Sequence, residues 1–326
     1  MPASSGSPAA VPARRVLLLL NPGTAQSGAM QHFQRRITGC EERPLELIVP
    51  DPRVQESQFS HARAAVEDGI DAVVVCGGDG MVGAGVNLVA GRHTPLGIIP
   101  AGSGNDFARA AGIPRRGGAA MERVLRALRQ PQLPVRAVDA LRMRLSGSAG
   151  TEDQQRWAAN SVNIGFDARV NQRANAQYRT PRRLRYLAAL AQEVPSFSPA
   201  EFDVEFDSGE PQRLQSALLC IQNGSSIGGG IPLARHARID DGWAEASHVG
   251  RLSRVGLVAL FPLLMMRMHR WLRPLTTLRV RRLSVRVPAR TPIYADGDEL
   301  LSGAEPTGGP HQLEIEVVPA AVQLLG

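Results

Sequence analysis

Residues 73–76, Val-Val-Val-Cys, form a short apolar run that ends in Gly77-Gly78-Asp79-Gly80. A second run at 96–100 ends in the same manner, in Ala101-Gly102-Ser103-Gly104-Asn105-Asp106. Continuous apolar runs this short, each followed by a helical pattern, fit strands buried on both faces of a parallel sheet. Glycine admits backbone conformations closed to other residues and leaves no Cβ between the main chain and a ligand. The amides opening each following helix then face into the turn, where an anion is favoured. Two such turns on neighbouring strands predict one cradle for a polyphosphate. Asp79 reads as the carboxylate that a magnesium ion bridges to it.

The sequence holds no lysine, so all 37 of its Lys+Arg positions are arginine. A Walker A loop and the strand lysine of protein kinases are therefore excluded. A Rossmann fingerprint fits poorly, because an aspartate inside the turn would face the pyrophosphate. The formal charge of +7 favours anionic partners such as nucleotide phosphates or an acidic membrane surface. With 4% aromatic residues there is little for single-stranded nucleic acid to stack on, and no nucleic-acid partner is expected. Cys40, Cys76 and Cys220 lie far apart and read as reduced thiols of a cytoplasmic protein. The seven histidines show no metal-ligand spacing.

Residues 1–13 are rich in Pro, Ala and Ser and are expected to be a disordered tail. Arg14-Arg15 before an apolar run mimics a signal peptide, but Asn21-Pro22 ends the run early, so 16–20 reads as the first strand. Over 14–135 strands at 16–20, 45–49, 72–75 and 96–99 alternate with helical patterns at 29–36, 58–67, 82–89, from 105, and at 121–128. That alternation predicts an α/β domain with a parallel sheet. From 136 the character changes to short strands at 141–145, 156–164, 201–206, 216–222, 244–249, 283–287 and 313–318, a mostly antiparallel β domain. Two helices interrupt it. One follows Thr180-Pro181, which combine a cap with a first-turn proline. The other, at 255–266, is bounded by Arg251, Arg254, Arg267, Arg270 and Arg273 and is too short to span a bilayer. It reads either as a buried helix with a solvated basic rim or as an element lying on anionic lipid.

With these residues in view, the chain resembles the diacylglycerol kinase catalytic-domain family, which includes bacterial lipid kinases and sphingosine and ceramide kinases. The likeness runs from about Arg15 to about Val318. It takes in Asn21-Pro22, Gly77-Gly78-Asp79-Gly80, the 100–109 loop, Asn160 to Asp167, and Asn223 to Gly230 with Pro232, Ala234 and Asp241-Gly242, and it ends at Asp296-Gly297-Asp298. The glycine turn alone is shared with NAD kinases and phosphofructokinases. The resemblance implies an NAD kinase/diacylglycerol kinase-like α/β domain, 14–135, to which 313–326 returns, and a β-rich lipid-substrate domain, 136–312. It implies ATP and Mg²⁺ as cofactors, a lipid substrate, and a peripheral position at the inner membrane face; a homodimer stays open.

The residues that the resemblance assigns to ATP are Asn21, Gly77, Gly78, Asp79, Gly80, Met81, Gly102, Ser103, Gly104 and Asn105. Asn21 either ties the first turn to the cradle, contacts ATP, or only shapes an Asn-Pro turn. Asp298 stands where the family carries a glutamate that accepts the lipid hydroxyl's proton. It either reaches through a water, or the backbone shifts, or Glu299 or Asp296 takes the role. Asp241, with backbone carbonyls at Arg238 and Trp243, matches a family site for a structural Mg²⁺. The sequence departs from the family at Met81 for threonine, at Gly83-Ala84 for Asn-Glu, and at Pro50-Asp51 near a second-strand threonine. The expected activity is transfer of the γ-phosphate to a lipid hydroxyl, on a diacylglycerol-like or a sphingoid acceptor. Two other readings remain, a catalytically impaired nucleotide- or lipid-binding module and an NAD kinase.

Overall fold

The computed structural model describes residues 13–38, 44–147, 154–176, 188–189, 191–196, 200–216, 218–250, 256, 275–289, 291–301 and 309–326. The tail before residue 13, the helix expected after Thr180-Pro181 (all but a few residues) and that at 255–266 (all but residue 256) lie outside the described residues.

The first half alternates β1 (Arg14–Leu20), α1 (Pro22–Ala25), α2 (Gly28–Thr38), β2 (Leu45–Ile48), α3 (Gln55–Glu67), β3 (Ala72–Gly77), α4 (Asp79–Val89), β4 (Leu96–Pro100), α5 (Asp106–Ala110) and α6 (Gly117–Arg129). Its strands lie in the order β2-β1-β3-β4, all parallel. The two-residue period of a strand sends Leu17, Leu19, Val73 and Val75 to one core with α4. Val16, Leu18, Val74 and Cys76 go to a second core with α2 and α6. Both faces are covered, so the strands carry no polar alternation.

The second half begins with β5 (Val135–Ser146), β6 (Gln154–Ala158), β7 (Ser161–Gly165) and α7 (Phe166–Ala176). It continues through β8 (Ala200–Phe206), β9 (Gln212–Ser216), β10 (Leu218–Gln222), β11 (Ala244–Val249), β12 (Leu275–Val280), β13 (Arg282–Val287), β14 (Ile293–Ala295), β15 (Asp298–Leu301) and β16 (His311–Leu325). Six of these form an antiparallel sheet in the order β12-β11-β10-β7-β14-β15. The rest join the parallel strands in one 10-stranded sheet, through β16. That strand runs antiparallel to β5 along most of its length, with an irregularity between Val318 and Val322, and its end sets Leu324 beside Leu96 in parallel. Met143, Val285, Leu313 and Ile315 of the large sheet pack on Val162, Ile164, Leu219 and Ile293 of the small one.

The single strand expected over 156–164 is instead two, β6 in one sheet and β7 in the other. The reason is a long-range cap. The Asp296 carboxylate accepts hydrogen bonds from the amides of Ala159 (2.6 Å), Asn160 (2.8 Å) and Ser161 (3.0 Å), which holds the chain where it changes sheets. The apolar pattern is continuous because both pieces are buried, and it carries no mark of the break.

Candidate active site

The two glycine turns meet face to face. A Cβ on Gly102 would lie 2.4 Å from Gly78 Cα, and one on Gly78 would lie 3.2 Å from Gly102 Cα. No larger residue permits that approach. Gly77 is required for a different reason, since its Cβ would overlap Met81 Cβ at 2.6 Å. Met81, the departure from threonine, packs against the core and so leaves the first turn of α4 without a hydroxyl. Asn21 opens α1, with its Oδ1 accepting from Gly23 N (3.0 Å) and its own N–H bonded to Cys76 O (3.2 Å). It therefore shapes the Asn-Pro turn and ties it to the end of β3.

The second turn is held from inside. Asn105 sits in the left-handed region (φ 52) and makes no side-chain cap bond to α5. Its Oδ1 accepts from Gly102 N (3.0 Å), and its Nδ2 donates to Gly102 O (2.8 Å). Ser103 is exposed at the tip, and its hydroxyl has no partner among the described residues. Asp79 reaches across from the first turn, where its Oδ1 accepts from Phe107 N (3.2 Å) at the start of α5. Burial, then the nearby negative charge of Asp106, push its carboxyl above the ordinary value, against the pull of the amides of Phe107, Asp106 and Asn105.

Asp106 is buried and faces the second half of the chain. Its carboxylate accepts from Ser226 Oγ (2.8 Å) and Gly229 N (2.7 Å) and pairs with Arg109, which also donates to Ser226 Oγ (3.2 Å) and Gly104 O (2.9 Å). Gly228, Gly229 and Gly230 all have positive φ (58, 88 and 108), the conformation this close approach requires. A second latch lies on α4, where Asn87 accepts from Trp157 N (2.9 Å) and donates to Trp157 O (2.7 Å), as a strand neighbour would. Sequence reasoning missed both latches. An Asn on the helix after a glycine turn was the only available sign of the second.

The β14–β15 hairpin brings two carboxylates to these turns. Asp296 is buried, sits at φ 51, and gives its oxygens to the three amides between β6 and β7. Burial pushes its carboxyl up to about 7, although those amides pull the other way. Gly83 is small because of it, as a Cβ there would lie 3.0 Å from Asp296 Oδ2. Asp298 lies over the first glycine turn itself. A Cβ on Gly80 would lie 2.9 Å from its Oδ1 and 3.0 Å from its Oδ2. The residue as a whole is exposed, but its carboxylate lies in against the turn, and loss of hydration there raises its pKa. Glu299 is held by the Tyr294 hydroxyl (3.2 Å) and by Gln172 Nε2 (3.5 Å).

Beside Asp298 opens a cavity of about 250 Å³ between the halves, walled by α3, α4, β5, β6 and the hairpin. Phe59, Leu88, Met143 and Trp157 give it apolar sides. A larger cavity of about 960 Å³ includes Asp139, Asp241 and Trp243 and shares no residue with the glycine turns.

Two carboxylates, Asp79 and Asp241, are the candidates for holding magnesium. Mg²⁺ in nucleotide sites is held by one or two carboxylates plus phosphate oxygens and water, so it needs no all-protein cage. Asp79, at the cradle with its Oδ2 beside Gly104, meets that need. Asp241 is engaged by protein donors on both oxygens. Its Oδ2 pairs with Arg279 (2.7 Å) and its Oδ1 accepts from Trp243 N (3.2 Å), while Arg238 Nε lies 3.4 Å from Asp240. Among the described residues no group of three acidic, His or Cys side chains is arranged for a metal.

Comparison with known proteins shows the family and the fold. Residues 15–135 match the model of the diacylglycerol kinase catalytic domain, and residues 160–326 that of the YegS C-terminal NAD kinase beta sandwich-like domain. A diacylglycerol kinase of Mycobacterium tuberculosis is 30% identical over 95% of this chain and 94% of its own length. A probable lipid kinase, YegS-like, of Stenotrophomonas maltophilia is 28% identical over 80% of each. In fold, the chain resembles a diacylglycerol kinase of Bacillus anthracis (TM-score 0.63, 17% identity, 96% of each chain). It also resembles yeast NADH kinase, with TM-score 0.55, 11% identity, 97% of this chain and 84% of that one.

Proposed function

The chain belongs to the diacylglycerol kinase family of lipid kinases, and on that premise we propose that it transfers the γ-phosphate of ATP to a lipid hydroxyl. One observation carries the reading. The carboxylate of Asp298, delivered by the second half, rests on Gly80 of the phosphate turn, delivered by the first. A base and a phosphate cradle in contact are what phosphoryl transfer to an alcohol requires.

In this reading 14–135, joined by 313–326, carries ATP, and 136–312 carries the lipid. The amides of 78–80 and 102–104 hold the phosphates, and Asn105 fixes the second turn. Asp79 would hold a magnesium ion, which neutralises phosphate charge when bound. Asp298 takes the acceptor hydroxyl's proton as the oxygen bonds to the γ-phosphorus; the bond from that phosphorus to the β–γ bridging oxygen breaks and ADP leaves. A raised carboxyl pKa makes Asp298 a better proton acceptor at neutral pH. Asp296 acts on Asp298 only by fixing the hairpin. The acceptor class is diacylglycerol-like or sphingoid. The lipid is met at the cytoplasmic membrane surface by a peripheral protein in this reading; no described helix is long and apolar enough to cross a membrane.

The test is to incubate the full chain with labelled ATP, Mg²⁺ and a panel of lipids, with NAD as a further acceptor. Labelled lipid that disappears in Asp298→Asn is the expected result. ATP binding without any labelled lipid would mean a binding module, and labelled NADP an NAD kinase.

A further inference from the structure

The Asp106–Arg109 latch has the second glycine turn itself among its partners. Arg109 Nη2 donates to Gly104 O (2.9 Å), while its Nη1 donates to Ser226 Oγ (3.2 Å) and pairs with Asp106, one helical turn earlier. A Cβ on Gly230 would lie 3.4 Å from Arg109 Cζ and 3.5 Å from each Nη. Those nearly equal distances place Gly230 over the flat of the guanidinium. One planar fork therefore touches the nucleotide side at Gly104 and the acceptor side at both ends of the 226–230 loop. A compact ammonium has no such reach in three directions.

Gly104 is where the two sides converge. A Cβ there would lie 2.7 Å from Asp79 Oδ2, 3.3 Å from Asp106 Oδ2 and 3.6 Å from Gly229 N. Gly229 in turn donates its N–H to the Asp106 carboxylate. Gly228 and Gly229 are exposed, and the loop is closed on itself by an isolated bridge between Ile227 and Ile231. A short exposed segment of this kind opens readily unless something outside it holds it. Behind the loop, Ile227 and Ile231 pack with Phe166 and Val170 of α7. That helix reaches Glu299 of the β14–β15 hairpin through Gln172 (3.5 Å). The other latch is built differently, since Asn87 bonds to Gly83 O and to the Trp157 main chain, clear of both glycine turns.

We infer that Arg109 is a positioning residue through which a nucleotide on the glycine turns orders the 226–231 loop of the acceptor half. The inference rests on the nucleotide reading of those turns and deepens it. Phosphates held by the amides of 102–104 keep that turn closed, and a closed turn keeps Gly104 O on Arg109. The guanidinium then stays against Gly230 and Ser226, and Gly229 stays on Asp106. A ligand shifts such an equilibrium only by binding one state better than the other. Here the closed turn alone presents its amides together, so the nucleotide favours it.

Hydrogen–deuterium exchange of the full chain tests this, with and without Mg²⁺ and the non-hydrolysable imido analogue of ATP. The proteins compared are the native chain, Arg109→Lys, Ser226→Ala and Asn87→Ala. In the native chain the analogue should slow exchange by about threefold or more in peptides covering 102–105 and, beyond them, in peptides covering 226–231. Arg109→Lys keeps the charge without the fork, and Ser226→Ala removes the acceptor-side partner while sparing the bond to Gly104. Each should keep the slowing at 102–105 and lose most of it at 226–231; Ser226→Ala decides the matter if Arg109→Lys does not fold. Asn87→Ala, which releases the other latch, should keep both. Three results would overturn the inference: 102–105 protected in the native chain with 226–231 unmoved, the full effect retained in both latch variants, or its equal loss in Asn87→Ala. An analogue that protects neither 78–80 nor 102–105 sinks the nucleotide reading and this inference with it, whereas protection confined to the glycine turns sinks this one alone.

Discussion

The two sides of the cleft are built by different means. On the nucleotide side, β3 and β4 end in turns whose contacts are backbone against backbone, glycine against glycine, within about thirty residues of chain. On the acceptor side, the β14–β15 hairpin is held by Asp296, whose partners lie 135 to 137 residues away. The first arrangement is encoded by what is absent, a Cβ. The second depends on a charged group buried against three amides. In the proposed function the backbone-built surface holds the polyphosphate, whereas the side-chain-built surface sets which acceptor hydroxyl arrives and when its proton leaves.

The largest effect that separates the two sides is expected from Asp298→Asn. Removing a general base costs on the order of 100- to 10,000-fold in rate, and ATP affinity measured by calorimetry should stay within twofold. Loss of both together would erase the distinction. Gly102→Ala tests the other side, because its Cβ would press into Gly78. It should abolish ATP binding and cost about 1–3 kcal/mol of stability by overpacking, read by titration and thermal unfolding. Asp106→Asn should leave both surfaces present but weaken their junction, since it disturbs the contacts with Ser226, Gly229 and Arg109. A loss of about 1–3 kcal/mol is expected from a buried hydrogen-bonded carboxylate, with ATP affinity less affected than in Gly102→Ala.

The last effect is a pH dependence to which the hairpin contributes through Asp296. Asp296 has its folded carboxyl raised from 3.8 to about 7, first by burial. A raised folded pKa means that the folded state holds the proton longer than the unfolded chain does. Stability from this group is therefore complete below the unfolded value and declines as pH rises through about 7. Denaturant unfolding across that window should show the decline in the native chain and a flatter profile in Asp296→Asn. A native profile that instead rises over the window would mean that the three amides outweigh burial.

Legibility in the sequence followed the same divide. The parallel strands, their order of alternation with helices, and the glycine turns could be read because each depends on local pattern: apolar runs closed by glycine. Asn105 could be named from the glycine loop, but only the structure shows that it locks its own turn while Asp106 crosses to Ser226. The break between β6 and β7 was invisible, since its cause lies at Asp296 and both strands are buried. The short strands β14 and β15 are likewise missing from the strands read in the sequence. Their three and four residues give periodicity too little length to register. Asp298 could be named from its motif, but nothing in the motif says that it touches Gly80.

The central claim is that one nucleotide lies across both glycine turns with its terminal phosphate under Asp298. A crystal structure of the full chain with a non-hydrolysable ATP analogue and Mg²⁺ tests it most directly. The account predicts phosphates within hydrogen-bonding distance of the amides of 78–80 and 102–104, and the γ-phosphate on the Asp298 side of Gly80. An analogue bound in the large cavity beside Asp241 and Trp243, with the glycine turns empty, would contradict it.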